Sequence, residues 1–164
     1  DLVIVSQTEA EGGVDSPLPI VDDVIVNAGC STLVVPAGVK SLDCTGPVVI
    51  GWNASAEAAR ALRQSLSFLA LASEVHLVSV GEDGEAFPQT AASSYLARHG
   101  VASELHSLPD RADAGQAIVD FAKSAGAGAI VMGAYGHSRL RETLLGGATR
   151  HASRNSNIPV LFGR

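Results

Sequence analysis

From residue 46 onward, short runs of β-branched and other apolar residues alternate with amphipathic stretches. This alternation is typical of βα units whose strands form a parallel sheet. The predicted strands are residues 47–52, 74–80, 101–108, 128–133 and 158–162. The first, second and fourth are almost continuously apolar, as central strands are when helices cover both faces of a sheet. Residues 46–164 therefore predict one complete α/β domain with an open, parallel, five-stranded sheet.

Three amphipathic stretches between these strands predict helices. Their apolar stripes consist of Ala58, Leu62, Leu66 and Leu69 in the first, Tyr95 and Leu96 in the second, and Ile118, Phe121, Ala122 and Ala125 in the third. Ser55 is placed to cap the first helix, and Gly100 and Gly126 are placed to end the other two. Each stripe is expected to face the core.

The amino-terminal part of the chain repeats the pattern of its carboxyl-terminal part. With a shift of 127 positions and no gap, residues 1–5 align with 128–132, and residues 32–35 align with 159–162. Between them, Val21, Val24, Ile25 and Ala28 have the spacing of a helix that packs on a sheet. We therefore expect residues 1–43 to be the carboxyl-terminal βαβ unit of a first, similar domain. The alternative is a chance agreement between two βαβ segments of similar composition.

A lone βαβ unit cannot bury its own apolar faces. The chain also opens at Asp1, within an apolar run and without Met. We expect that the rest of the first domain has been cleaved, is disordered or is supplied by another chain. Residues 1–43 are then expected to pack on the complete second domain or on that other chain.

Composition argues against several classes of function. Seventeen acidic residues against eleven Lys and Arg give a net charge of -6, which disfavours a nucleic-acid-binding face. The apolar runs are far shorter than the ~20 residues that cross a bilayer. Cys30 and Cys44 have no metal-ligand spacing and are too few for a disulfide framework. We therefore expect a soluble cytoplasmic protein with reduced thiols.

Positive charge is concentrated near the carboxyl terminus. Residues 137–164 contain a single acidic residue, and the arginines there are Arg139, Arg141, Arg150, Arg154 and Arg164. This excess would attract an anion. The alternative for each arginine taken singly is a position on a solvated helix face.

A glycine-rich segment follows the fourth predicted strand. Gly133 ends the strand, Gly136 follows three residues later, and Gly146 and Gly147 come after nine further residues. Ligands of open parallel sheets bind beyond the carboxyl ends of the strands, where the strand order reverses, and uncovered backbone amides at a helix N-terminus can bind a phosphate there. Neither G-x-x-x-x-G-K-S/T nor G-x-G-x-x-G is present. The structural alternative is that the first two glycines form a turn and Gly146 relieves a helix contact.

The spacing of Gly133, Gly136 and Gly146 resembles the G-2x-G-9x-G-S/T signature of the universal stress protein (UspA) family, in its ATP-binding branch. Residues 130–133 and 157–162 are similar to that family's fourth and fifth strands. The resemblance covers residues 46–164 and implies the strand order 3-2-1-4-5 of adenine nucleotide alpha hydrolase-like domains. It also implies that the fifth strands, here residues 32–35 and 159–162, meet in a homodimer or pseudo-dimer.

The resemblance also implies a set of nucleotide-binding positions. Asn53 would hold the adenosine end, the backbone of Val80 would meet adenine, and the glycine-rich segment would hold ribose and phosphate. The candidate cofactor-binding residues are Trp52, Asn53, Val80, Met132, Gly133, Gly136, His137, Gly146, Gly147, Ala148 and Thr149. His137 is placed to reach a phosphate or metal, with an ordinary loop position as the alternative. Trp52 is placed either to stack on a base or to pack in the core.

Two positions depart from the family pattern. Asn53 stands where the family has Asp, so a ribose or metal contact loses a charge, and Gly147 replaces the Ser or Thr whose hydroxyl touches phosphate. Loss of one hydroxyl contact costs about 0.5 to 1.5 kcal/mol, or about tenfold in affinity. Thr149 and Arg139 are candidates to compensate, with an exposed position as the alternative for both. In the first repeat, Ser6, Glu9, Pro19 and Ile20 stand where the glycines would be, so no nucleotide loop is expected there.

The remaining histidines indicate no second site. His76 and His106 lie in predicted strands with no paired ligand at a useful spacing, so structural roles are expected and no metal site is predicted. No Ser-His-Asp or Cys-His arrangement follows from the spacing, and G-x-S-x-G is absent from the sequence. No catalytic residue is therefore predicted.

These expectations favour a binding module over an enzyme. The chain is expected to be a stress-response protein that binds ATP, or else AMP or ADP, with Mg²⁺ as an accompanying ion, and whose nucleotide state is read by protein partners. A slow ATPase or phosphotransferase at the same site is one alternative, although it lacks an identifiable base. An interaction protein with a degenerate pocket is the other, because of Asn53 and Gly147. The stress, the protein partner and the preferred nucleotide stay open.

Overall fold

The computed structural model describes residues 1–7, 20–81, 87–134 and 147–163 of the chain. The elements within these residues are β1 (Leu2–Ser6), α1 (Ile20–Asn27), β2 (Ser31–Val35), β3 (Val48–Trp52), α2 (Ala56–Gln64), α3 (Leu66–Leu69), β4 (Val75–Val80), α4 (Gln89–Arg98), β5 (Glu104–Leu108), α5 (Ala114–Ser124), β6 (Ala129–Gly133), α6 (Gly147–Asn155) and β7 (Val160–Gly163). Strands and helices alternate along most of the chain, as predicted. No helix in this part of the chain is long and apolar enough to span a membrane.

All seven strands form one sheet in the order β1-β2-β7-β6-β3-β4-β5. The five strands from β3 to β7 are parallel and have the predicted order 3-2-1-4-5. Strand β2 pairs antiparallel with β7, with Thr32 opposite Phe162 and Val34 opposite Val160. The sheet therefore has seven strands. Five come from residues 46–164, here called the second unit, and two, β1 and β2, come from residues 1–43, here called the first unit. Strand β7 is therefore paired on both sides, with β6 and with β2 of the same chain.

Side chains from the two faces of the sheet enter two apolar cores. One core contains residues of α2, α3 and α4 against alternate positions of the strands, such as Ile50 and Leu77. The other contains residues of α1, α5 and α6 against the remaining positions, such as Val49 and Val78. This alternation follows from the two-residue period of a strand. It explains why the central strands are largely apolar on both faces.

The helix ends follow the predicted caps with one difference. The Ser55 hydroxyl accepts a hydrogen bond from Ala58 N at 3.1 Å and starts α2. The predicted single helix is interrupted at Ser65, a buried residue whose hydroxyl donates to Leu62 O at 3.0 Å. Gly126 adopts φ +63 directly after the last turn of α5.

Strand β5 begins three residues later than predicted. Val101 is buried, and its backbone N–H donates to Leu96 O at 3.0 Å. This hydrogen bond closes the end of α4, with Gly100 at φ +78. The apolar character of Val101 therefore reflects helix termination and not strand pairing.

Two paired glycines allow α2 to lie directly on the sheet. Gly133 of β6 is opposite Gly163 of β7 in the register. A Cβ atom on Gly163 would overlap the Cα atom of Ala61, and one on Gly133 would overlap the backbone nitrogen of Ala58. The helix backbone occupies the space that side chains would otherwise fill.

Polar contacts join α6 to residues 1–43. Asp22 of α1 is buried, and its Oδ2 atom lies 2.5 Å from Nη2 of Arg154. The side chain of Gln7 donates to Ser153 O at 3.0 Å. Arg154 is exposed, as the alternative of a solvated position predicted, and its guanidinium also pairs with the Asp22 carboxylate.

A turn at Asp43 connects the two units. Asp43 Oδ1 accepts hydrogen bonds from Thr45 N at 2.8 Å, Thr45 Oγ1 at 2.8 Å and Gly46 N at 3.1 Å. These bonds, led by the one from the Thr45 backbone, hold the pKa of Asp43 below its usual value of 3.8. The turn is stabilised by the ionised carboxylate.

Replacing Gly163 by Ala should destabilise the protein, because the new Cβ would overlap backbone atoms of α2. We expect the free energy of unfolding to fall by about 2 to 3 kcal/mol, the upper range for overpacking. Gly147→Ala is the control, because no described atom lies within 4 Å of a Cβ added there. Urea unfolding measures both variants. Equal stabilities for the two would contradict the close approach of α2.

Candidate functional site

The carboxyl ends of β3 to β7 lie at one edge of the sheet, because these strands are parallel. Strand β3 lies between β4 and β6, so the strand order reverses next to β3. Helix α2 begins at this edge, directly after the turn that follows β3. This is the position where open α/β sheets bind their ligands.

The turn between β3 and α2 is organised by Asn53. Its Oδ1 atom accepts hydrogen bonds from the Ser55 backbone N–H at 3.2 Å and from the Ser55 hydroxyl at 2.7 Å. Ala54 between them has φ +58, a left-handed conformation that disfavours residues with a Cβ. The oxygen of Asn53 therefore holds the turn, and the residue itself is exposed at this edge of the sheet.

Two of the predicted binding residues are core residues. Trp52 is buried, and its indole N–H donates to Phe87 O at 3.0 Å. Of the two predicted roles for Trp52, core packing is therefore the one observed, and stacking on a base is not available. Met132 is also buried and packs against Gly51. Both residues can contribute only backbone atoms to a ligand site.

Val80 lines a cavity at the carboxyl ends of β4 and β5. Strand β3 ends opposite Ser79, so Val80 extends one residue beyond the β3–β4 pairing. The cavity has a volume of about 490 Å³ and is lined by Val80, Gly81, Leu108, Pro109 and Asp110. Gly81 has φ +81 and donates to Leu108 O at 3.0 Å. Val80, one of the predicted binding residues, thus borders an open volume.

The glycine-rich segment is described only at its two ends. Gly133 lies against the first turn of α2, and Ala134 N donates to Gly163 O at 2.9 Å. Packing against α2 therefore requires a glycine at position 133, whether or not a ligand binds there. The predicted residues Gly136, His137 and Gly146, with Arg139, lie outside the described residues.

Helix α6 begins at the other end of that segment. No described atom comes within 4 Å of a Cβ added to Gly147, so packing against the described residues does not require a glycine there. Ala148 packs against Gly115 of α5. Thr149 is buried, so the alternative of an exposed position is wrong for this residue.

Helix α6 also carries a histidine, His151, whose contact with an aspartate the sequence did not indicate. Asp113 caps α5 by accepting from Gln116 N at 3.0 Å, and its other oxygen lies 2.7 Å from His151 Nδ1. His151 Nε2 and Arg150 Nε are buried and have no hydrogen-bond partner among the described residues. Asp113 and His151 are far apart in sequence, so no motif spacing could reveal their contact.

His76 and His106 are brought together by strand pairing. The register places His76 beside Glu104 and Val78 beside His106, so all four side chains face the same side of the sheet. His76 Nδ1 lies 3.2 Å from His106 Nε2. The expectation that these histidines lack a paired ligand is therefore wrong, because pairing depends on the β4–β5 register and not on sequence spacing.

Residues 105–164 match the family model "Universal stress protein family". The carboxyl-terminal part of the chain is therefore similar to universal stress proteins. A universal stress protein of Synechocystis sp. is 33% identical over 95 residues, which are 55% of this chain and 32% of that relative. The chain thus spans about a third of the length of the curated relative that it matches.

Solved structures of universal stress proteins share the fold of this chain. A Pseudomonas aeruginosa protein assigned to the universal stress proteins has a TM-score of 0.69 at 19% identity, covering 98% of this chain and 62% of that one. The universal stress protein from Archaeoglobus fulgidus, solved in complex with dAMP, has a TM-score of 0.53 at 24% identity. It covers 76% of this chain and 100% of its own.

Replacing Ala54 by Gly should stabilise the protein. The left-handed backbone at Ala54 costs about 1 kcal/mol, and glycine would remove this cost. Part of the gain is offset because glycine also gives the unfolded chain more conformational freedom. We expect the free energy of unfolding to rise by a few tenths of a kcal/mol, measured by urea unfolding. Ala59→Gly, on the exposed face of α2, should lower it by about 1 kcal/mol. Shifts of the same sign would show that the Asn53–Ser55 turn is unstrained.

Proposed function

We propose that this chain binds an adenine nucleotide, with ATP as the first candidate and AMP or ADP as the others. The bound nucleotide would bias the shape of the domain that protein partners recognise in a stress response. The observation that carries the proposal is the cavity beside Val80, at the carboxyl edge where the strand order reverses.

The open volume beside Val80 is large enough for a small molecule. Its volume of about 490 Å³ lies within the range of about 300 to 1,000 Å³ that is usual for such pockets. Val80, Leu108 and Pro109 offer apolar surface for a planar base. The carboxylate of Asp110 is an acceptor for the amino or hydroxyl donors of a nucleoside.

The phosphates would lie toward the N-termini of α2 and α6. Backbone N–H groups and the helix dipole favour an anion at such ends. Within this proposal, Gly133, Gly136, Gly146 and Gly147 border the phosphates, His137 and Ala148 lie beside them, and Asn53 faces the ribose through its amide group. Mg²⁺ would accompany the phosphates of ATP.

A protein of the same fold supports adenine as the base. The Archaeoglobus fulgidus universal stress protein is in complex with dAMP, and its whole chain aligns with this one. At 24% identity this likeness concerns the fold, so the choice of nucleotide rests on the test below.

Residues 1–43 belong in the same proposal as the carboxyl-terminal unit of a first, similar domain. The internal repeat and the β2–β7 pairing support this division, with 46–164 as the complete domain. Ser6, at the end of β1, stands where the repeat has Gly133. The nucleotide is therefore assigned to the second unit alone.

Slow hydrolysis of ATP is a second candidate, favoured by the contact between Asp113 and His151. The carboxylate orients the imidazole, and a histidine held in this way can act as a general base. Release of ADP over hours, reduced in His151→Gln, would support hydrolysis. ATP that stays intact while bound would leave the binding role alone.

Gly147→Ser restores the hydroxyl of the family signature at a position where the described residues leave room. We expect it to raise the affinity for ATP about tenfold, as one hydrogen bond to phosphate contributes about 0.5 to 1.5 kcal/mol. Isothermal titration calorimetry with ATP, ADP and AMP in Mg²⁺ buffer measures the change. Ala97→Ser, on the exposed end of α4, is the matched control and should bind like the original chain.

Absence of heat with all three nucleotides at millimolar concentration, in both the original chain and Gly147→Ser, would overturn nucleotide binding. An interaction protein with a degenerate pocket would then be the better description.

A further inference from the structure

Four side chains with metal-binding chemistry lie on β4 and β5, on the side of the sheet covered by α5. His76 is the second residue of β4, and Glu104 is the first residue of β5. His106 follows on β5, and Glu74 directly precedes β4. The cluster is therefore near the amino ends of these strands, at the edge opposite the proposed nucleotide site.

Three ligand atoms of this cluster surround one point. His76 Nδ1 lies 3.2 Å from His106 Nε2 and 3.6 Å from Glu104 Oε2, and the last two atoms are 3.7 Å apart. A triangle with these sides has a point about 2.0 Å from every corner, which is the length of a zinc–nitrogen or zinc–oxygen bond. The three atoms thus have the separations of ligands that share one ion.

A fourth side chain fixes the orientation of His76. Glu74 Oε2 lies 3.4 Å from His76 Nε2, the ring nitrogen that points away from the other ligand atoms. A proton on Nε2 directed at this carboxylate leaves a lone pair on Nδ1. Metal-binding histidines usually have a carboxylate or carbonyl in this place, which holds the required tautomer.

Packing holds the two imidazoles in place. His76 is buried, with its ring centroid 5.9 Å from that of Phe121, and the His106 ring is 4.7 Å from the same residue. The side chain of Glu104 is 71% exposed and that of His106 is 29% exposed. The cluster therefore has a rigid inner wall and an outer side open to water, which can supply a fourth ligand.

We infer that His76, Glu104 and His106 bind one divalent transition metal ion, with Zn²⁺ as the probe. Two imidazoles and one carboxylate suit Zn²⁺ and its neighbours in the first transition row, whereas Mg²⁺ prefers oxygen ligands. The ion would join the edge strand β5 to β4. Glu74 is a positioning residue for His76.

The test is a titration of the full chain, freed of metal by a chelator, with ZnCl₂ in a calorimeter. We expect one equivalent to bind, and MgCl₂ in tenfold excess to leave the binding unchanged. Glu104→Gln, on the exposed edge, and His106→Gln should each weaken binding at least tenfold. Glu57→Gln and His99→Gln remove the same groups from α2 and from the end of α4, and should bind like the original chain.

Nitrogen NMR of the histidine rings identifies the ligand atoms. On addition of Zn²⁺, the resonances of His76 Nδ1 and His106 Nε2 should shift, and those of His99 should not. Circular dichroism checks that each variant is folded. If His106→Gln does not fold, the Zn²⁺ affinity of Glu104→Gln alone tests the site. Absence of one-to-one binding, unchanged affinity in Glu104→Gln, or shifts confined to other histidines would overturn the site and leave only a hydrogen bond between two imidazoles.

Discussion

The contact between α2 and the sheet depends on two residues without side chains. Gly133 and Gly163 face each other on β6 and β7, and the backbone of α2 fills the space above them. This approach brings the first turn of the helix over the end of β6. The N-terminus of α2 therefore lies at the edge where the strand order reverses, so a packing requirement also determines where positive helix-end charge is available.

The same edge combines rigid and adaptable parts. Trp52 and Met132 belong to the core, so they fix the ends of β3 and β6 without contacting a ligand through their side chains. Asn53 is committed through its oxygen to the turn before α2. Val80 and Asp110 border the cavity instead. Specificity at this edge would therefore come from β4 and the segment after β5 more than from the strand that precedes α2.

Local patterns in the sequence predicted most of the fold. Short stretches of sequence predicted the five parallel strands, the Ser55 cap and the glycines that end helices. The shifted repeat indicated the two strands within residues 1–43. Contacts between distant segments were not predictable in this way. The pairing of His76 with Glu104 depends on the register of two strands, and the contact between Asp22 and Arg154 depends on how two helices meet. Neither leaves a spacing signal. Trp52 had two readings, and only its burial distinguished them.

The antiparallel pairing of β2 with β7 has a geometric consequence for the whole chain. Strands β1 and β2 run opposite to β3–β7, so the carboxyl ends of the two units emerge at opposite poles of one continuous sheet. A small molecule at one pole cannot touch the other. A signal between the poles would pass through the hydrogen-bonded ladder of β2 and β7, as a change in the twist that the two halves share, and through the contacts that α6 makes with Asp22 and Gln7.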